Sequence, residues 1–367
     1  MKIPEKNQFQ VIKSNFTKNK IQTIPDENLT LLEGEILIQV DLFSFTSNNI
    51  TYAVSGDIIR YWEFFPAVNE NIEEWGVIPV WGFADVVDSK TKEIPVGDRI
   101  FGYFPPATHL KMKADRITKK RFTDSSEHRS TLPPTYNLYK RVLSEPNYDR
   151  SFDRDRALFY PLYITSFTLW DSLKENNWYG AKQIIILSSS SKTSIGLAYA
   201  LNQDDSSPKT LGITSSRNLK VVKQLNFYDT SLAYDQLNSV DNNIPTVIVD
   251  MSGNNGVLVD LHKALGDQMK FTLKVGLTHW EESNPNEGII RERSKFFFAP
   301  SHIEKRIKDW GASEFDTKTS HFLLDATTKT KKWLNYKDLD GLEELKTLYP
   351  DVCSGSLPAN IGLIVKM

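Results

Sequence analysis

Gln183-Ile184-Ile185-Ile186-Leu187-Ser188-Ser189-Ser190-Ser191-Lys192-Thr193-Ser194-Ile195-Gly196-Leu197-Ala198-Tyr199-Ala200-Leu201 is the stretch whose reading decides the fold. Residues 183–187 form a short unbroken apolar run, the pattern of a strand covered on both faces. A turn of small polar residues follows, and 195–201 has helical composition. A second strand, Thr210-Leu211-Gly212-Ile213-Thr214, ends at Ser215-Ser216-Arg217. Strand, small-residue turn, helix and strand in this order predict a dinucleotide-binding βαβ unit. The glycine fingerprint is degraded, since only Gly196 stands at a glycine position. The second strand also ends without the acid that would hold a ribose 2′-hydroxyl.

Composition bounds the rest. The chain has 367 residues, 40% hydrophobic and 25% charged, enough for two domains and a large core. Lys and Arg number 44 against 46 Asp and Glu, so the formal charge of −2 favours neither nucleic acid nor an anionic membrane as partner. No apolar run reaches the length of a membrane span, and no apolar signal segment opens the sequence, so a cytoplasmic protein is expected. Cys353 is the single cysteine, which excludes an intramolecular disulfide and any multi-thiolate zinc site.

Patterning divides the chain. Up to about residue 155 it is β-rich, with strands expected at 35–43, 81–88 and 99–104. Residues 105–150 are polar and broken by prolines, and read as a long excursion from a small barrel, helical in part. Beyond 156, helices are expected over 157–174, 219–225 and 256–265, alternating with strands at 246–250 and 270–275. Ser301-His302-Ile303-Glu304 fits a capping box opening a helix to about Trp310. Residues 361–366 read as a closing strand. The expectation is an α/β chain with domains at 1–155 and 156–300 and a return at 301–367.

The order of these parts resembles the medium-chain dehydrogenase/reductase superfamily. Glu35-Ile36-Leu37-Ile38-Gln39-Val40, then Ser47-Asn48-Asn49-Ile50-Thr51-Tyr52 and Ser55-Gly56, resembles its first catalytic-domain strand and the loop entering the active site. Ala84-Asp85-Val86-Val87-Asp88 with Pro95-Val96-Gly97-Asp98-Arg99-Ile100-Phe101 is similar to its valine-rich hairpin. Asp250-Met251-Ser252-Gly253-Asn254 resembles its fourth Rossmann strand and turn. The resemblance implies a Rossmann-type doubly wound parallel sheet plus a β-rich GroES-like catalytic domain, with a homodimer joined at a sheet edge. The nearest branch is the zinc-independent, quinone-oxidoreductase-like group, in a subfamily of unassigned function. Zinc-dependent members use a first-loop cysteine and a glycine-histidine-glutamate motif before the hairpin. Here those places hold Ser44, Ser47 and Asn48, and Val80-Trp81-Gly82, so no metal site is expected.

A pyrophosphate sits at a helix N-terminus because backbone N–H groups and the helix dipole favour negative charge there. Ser189, Lys192, Thr193 and Ser194 offer donors and a counter-charge, and Gly196 stands where a missing side chain lets the helix pack on the strand. Ser215, Ser216 and Arg217 in place of an acid suit the 2′-phosphate of NADP; Ser215 alternatively only caps the next helix, with Arg217 solvated. Ser252, Gly253 and Thr278 complete the expected cofactor contacts. The resemblance makes Tyr52 a donor to a substrate oxygen, with Asn48 and Asn49 as polar anchors; a packed ring is the other reading. His279, in Thr278-His279-Trp280-Glu281, is a candidate acid or a backbone-capping loop residue. His109 is a weaker candidate, Phe296-Phe297-Phe298 covers a ligand ring or forms core, and Glu281-Glu282 reads as a solvated pair. The function expected is NADPH-dependent, metal-independent hydride transfer to a small carbonyl, quinone or enone. The competing expectation is a non-catalytic nucleotide-binding or scaffold homologue.

Overall fold

The computed structural model describes residues 5–276 and 288–367, which form two compact units: Met1–Leu158 with Asn335–Met367, and Phe159–Leu334. The second unit thus extends to Leu334, beyond the limit of 300 expected from patterning, because it includes the helix Ala312–Thr330.

The first unit is built on one long strand, Glu35–Phe45. Along one edge it pairs with Val80–Ser89. Along the other edge its first half pairs with His109–Asp115 and its second half with Ile361–Lys366. Pairing continues from Val80–Ser89 through Arg99–Phe104, Leu138–Arg141 and Arg121–Asp124 to His109–Asp115, which closes a six-stranded barrel on the first strand. Residues 105–150 are therefore not an excursion: they supply three of the closing strands. Two of those strands have only four residues, too few to show a period of two, and His109–Asp115 buries only Met112. The irregular part is held by Arg129, wholly buried, whose guanidinium donates to Asp124 Oδ2 (2.9 Å), Asn137 Oδ1 (2.9 Å), Tyr139 Oη (2.8 Å) and the Tyr136 carbonyl (2.8 Å).

In the second unit we label the strands β1 (Gln183–Leu187), β2 (Lys209–Thr214), β3 (Thr230–Ala233), β4 (Thr246–Asp250), β5 (Met269–Lys274) and β6 (Ser294–Phe296). The helices are α1 (Asp153–Glu175, in this unit from Phe159 on), α2 (Lys192–Asn202), α3 (Ser216–Leu225), α4 (Asn255–Leu265), α5 (Ala299–Trp310) and α6 (Ala312–Thr330). The sheet is parallel throughout, in the order β3-β2-β1-β4-β5-β6. Ile184 and Ile186 face one core with Leu169, Leu197 and Val249. Ile185 and Leu187 face the other with Ile248, Leu258 and Leu261. Alternate residues of β1 thus fill opposite cores, and each such side chain stabilises by about 1.5–3 kcal/mol on burial. α5 begins at Ala299, with Pro300 in its first turn. The expected cap at Ser301 lies inside the helix, since proline's fixed φ suits the first turn. No helix of the described residues is long and apolar enough to cross a membrane.

Candidate nucleotide site and the buried phenols

Chain order reverses direction between β1 and β4, where Leu187 and Asp250 are neighbours in register. Open parallel sheets bind ligands outside the carboxyl ends of their strands at this switch point. The serine-rich turn leaves β1 there. Ser188 takes a left-handed φ of 55°, a conformation usually left to glycine, and its N–H donates to Tyr234 Oη (2.9 Å). Ser189 N–H donates to the Ile213 carbonyl (2.9 Å), and Tyr228 Oη donates to the Ser189 carbonyl (2.8 Å). Close approach at this point requires Gly212, where a Cβ would stand 2.8 Å from the Tyr228 ring and 3.0 Å from the Ser189 Cβ.

The serine hydroxyls knit the turn to its neighbours. Ser190 Oγ accepts from Thr214 Oγ1 (3.0 Å) and Asn218 Nδ2 (3.1 Å). Ser191 caps α2, accepting from Ser194 N–H (3.1 Å) and donating to Ser194 Oγ (2.8 Å). Ser194 is buried, so its hydroxyl serves the turn. Lys192 opens α2, half-buried, its ammonium 5.9 Å from the centre of the Trp333 ring, and desolvation pulls it down to about 8. Thr193 follows, its carbonyl accepting from Ser166 Oγ (2.7 Å). Gly196 serves a helix contact, not the strand packing expected: a Cβ there would lie 2.7 Å from both Tyr163 Cδ1 and Ser166 Oγ of α1.

At the end of β2, Ser215 occupies the N-cap position of α3 but makes no capping bond, and its buried hydroxyl has no hydrogen-bond partner among the described residues. Ser216 and Arg217 are exposed in the first turn. Ser216 Oγ donates to Asp235 Oδ2 (3.3 Å), so an acid does reach this corner, from the segment after β3. The end of β2 carries no trace of it in sequence, because the acid comes from a different segment. After β4, Ser252 and Gly253 form a turn around the Asp250 carboxylate. Thr278 and His279 lie outside the described residues, as do Glu281 and Glu282. Phe297 is in the core with Leu273 and Val249.

In the first unit, Tyr52 lies on a helix, Ser47–Val54, and not on a loop. Thr46 caps that helix: its Oγ1 accepts from Asn48 N–H (3.2 Å), while Asn49 Oδ1 accepts from Thr46 N–H (2.7 Å). Asn49 Nδ2 also donates to the Pro79 carbonyl (2.8 Å), so this side chain is an internal brace and not a ligand anchor. The Tyr52 ring is buried, 4.6 Å from Tyr61 and 5.8 Å, edge-on, from Tyr103, with the Trp81 and Asn48 side chains beside its hydroxyl. Burial pushes the phenol up to about 12, so it stays protonated near neutrality. Tyr61 and Tyr136 share a hydroxyl bond of 2.9 Å, and Trp81 packs 5.2 Å from Tyr103. His109 stands apart, half-buried with Nδ1 3.0 Å from Thr108 Oγ1. Among the described residues no group of three or more His, Cys, Asp or Glu side chains is arranged to hold a metal ion.

A family model described as "Protein of unknown function (DUF2855)" matches residues 43–358. The chain belongs to that family. No curated protein matches it. Solved structures do. CurA from Vibrio vulnificus in complex with NADPH superposes with a TM-score of 0.64 at 12% identity, covering 98% of this chain and 99% of that one. A putative NADPH:quinone reductase from Bacillus thuringiensis gives 0.60 at 12% identity, covering 100% of both. The Etr1p/NADP/crotonyl-CoA complex gives 0.59 at 12% identity, again covering 100% of both. At such identity the likeness establishes fold: DUF2855 here has the two-part α/β architecture of medium-chain dehydrogenase/reductase-type enoyl reductases.

Proposed function

We propose that the chain is an NADPH-dependent oxidoreductase of the zinc-independent, quinone-oxidoreductase-like branch, reducing a small carbonyl, quinone or enone. The observation that carries this reading is the parallel sheet ordered 3-2-1-4-5-6, with a small-residue turn and a helix N-terminus at its switch point. The residues there fit a dinucleotide. Ser215 Oγ and Asp250 Oδ2 are buried oxygens without partners among the described residues, at the carboxyl ends of β2 and β4. Lys192 at the start of α2 supplies positive charge beside the turn, with the helix dipole aligned to it.

In this reading the first turn of α2, with Lys192 and Thr193, holds the pyrophosphate. Ser215, Ser216 and Arg217 hold the 2′-phosphate, while Ser252 and Gly253 border the second half of the cofactor. The cofactor, when bound, supplies hydride. Hydride addition leaves negative charge on a substrate oxygen, and the protonated Tyr52 phenol is the group assigned to donate to it. The serine hydroxyls consumed inside the turn favour the second reading, a nucleotide-binding homologue without turnover. NADPH oxidation by a quinone or enone separates the two.

The cofactor experiment is a thermal shift with NADPH and NADH. A ligand at a hundredfold excess over Kd stabilises by about 2.7 kcal/mol, and NADPH should stabilise more than NADH. Arg217→Ala should weaken NADPH alone. Asp235→Asn, which removes an acid beside Ser216, should widen the preference. Equal shifts from both cofactors, or none, would overturn the NADP assignment.

A further inference from the structure

Asp250 is wholly buried at the carboxyl end of β4, and its two oxygens are treated differently. Oδ1 accepts from Ser252 N–H (2.8 Å), Ser252 Oγ (2.7 Å) and Gly253 N–H (3.1 Å). Oδ2 accepts from nothing among the described residues. The turn needs only an acceptor at Oδ1, which an asparagine would supply without a buried charge. A carboxylate held in place by three bonds with its other oxygen left bare is a costly arrangement unless something else uses that oxygen. Burial accordingly pushes the carboxyl up from its ordinary range, against the pull of Ser252, Gly253 and the Lys274 cation on β5.

The position says what uses it. Asp250 is in register with Leu187, the residue before the serine turn, and neighbouring strands lie about 4.8 Å apart. A phosphate at the turn therefore ends close to Asp250. The carboxylate repels that phosphate and accepts from an uncharged hydroxyl next to it. A sugar phosphate carries both groups at this separation. The β1–β3 half of such a sheet takes the adenosine half of a dinucleotide, and the half starting at β4 takes the other mononucleotide. We propose that Asp250 Oδ2 is the acceptor for a hydroxyl of the second ribose, the one on the nicotinamide side. It is a binding acid opposite the place, at the end of β2, where this chain has none. The assignment rests on the dinucleotide reading above.

The experiment compares wild type with Asp250→Asn, using two probes by calorimetric titration and one measurement without ligand. NADPH carries both riboses; 2′,5′-ADP carries only the adenosine half. Asp250→Asn should weaken NADPH about ten- to a hundredfold, the worth of a hydrogen bond to a charged group, and leave 2′,5′-ADP bound as tightly or more tightly, since its phosphate no longer faces the carboxylate. Its ligand-free melting temperature should be no lower, because the Oδ1 bonds remain. NADPH bound equally tightly by both proteins would overturn the assignment. So would equal losses for both probes, a lower melting temperature or failure to fold, each of which makes Asp250 a residue of the turn alone. If wild type binds neither probe, the dinucleotide reading itself fails and the assignment falls with it.

Discussion

The Arg129 network of the barrel and the switch point of the sheet treat their buried polar groups differently, although the barrel unit too has buried atoms, Tyr103 Oη and Gln10 Oε1, without partners among the described residues. In the barrel, Arg129 is buried with four acceptors around it, and the Tyr61 and Tyr136 hydroxyls satisfy each other. At the sheet's switch point, Ser215 Oγ and Asp250 Oδ2 are left open. A satisfied buried network holds a shape, whereas a buried polar atom left unpaired is a place where a further partner would gain most. The comparison can be broken by experiment, and the largest effect should come from the closed network. Arg129→Met removes the guanidinium and strands Asp124, itself buried, without a counter-charge. Leaving one partner of such a pair typically costs about 3–5 kcal/mol, which should appear as a large fall in the denaturant midpoint. A loss below about 1 kcal/mol would show the barrel network to be dispensable.

The same contrast explains what could be read in the sequence. β1 and β4 were legible to the residue, because a strand buried on both faces is an apolar run, and 183–187 and 246–250 are such runs. The long barrel strand at 35–45 was legible for its alternation. The closing strands at 121–124 and 138–141 were not, because four residues bounded by polar turns carry no period, and their placement depends on Arg129, whose partners lie up to ten residues away. At the site, the serine turn and α2 were visible as local pattern. Asp235 and the bare oxygen of Asp250 were not. The first reaches Ser216 from another loop, and the second depends on which oxygen the turn consumes. Helix Ser47–Val54 resembles a loop in sequence because its capping box closes on Asn49 and not on the usual Glu or Gln.

Tyr52 sharpens the comparison, since it is a buried hydroxyl of the barrel unit assigned to chemistry. Tyr52→Phe keeps the ring contacts with Tyr61 and Tyr103 and deletes only the hydroxyl. If the phenol stabilises developing negative charge, kcat on an accepted quinone or enone should fall about 10²–10³-fold, with NADPH affinity unchanged. Unchanged turnover would return Tyr52 to the packing role its burial also allows. Solvent or another group would then supply the proton, and the oxidoreductase reading would survive without this residue.

The smallest effect expected is a pH dependence in the second unit, at a buried polar group whose hydrogen bonds are complete. His262 of α4 is buried, its Nδ1 accepting from Ile290 N–H (3.0 Å) while Nε2 donates to Thr272 Oγ1 (2.9 Å) on β5. Nδ1 can accept only when it carries no proton, so the native contacts require the neutral ring. Desolvation, aided by the Arg293 and Lys274 cations, pulls its pKa from 6.5 to about 4. The unfolded chain then binds a proton between pH 6.5 and 4 that the folded chain refuses. Stability from this group is complete above pH 6.5 and is lost as pH falls towards 4, with an upper limit on the order of 3 kcal/mol. Urea midpoints of wild type should drop over that window more steeply than those of His262→Gln, whose amide does not titrate. Parallel profiles would mean that His262 takes up its proton in the folded state and that its pairing with Ile290 is not the constraint the geometry implies.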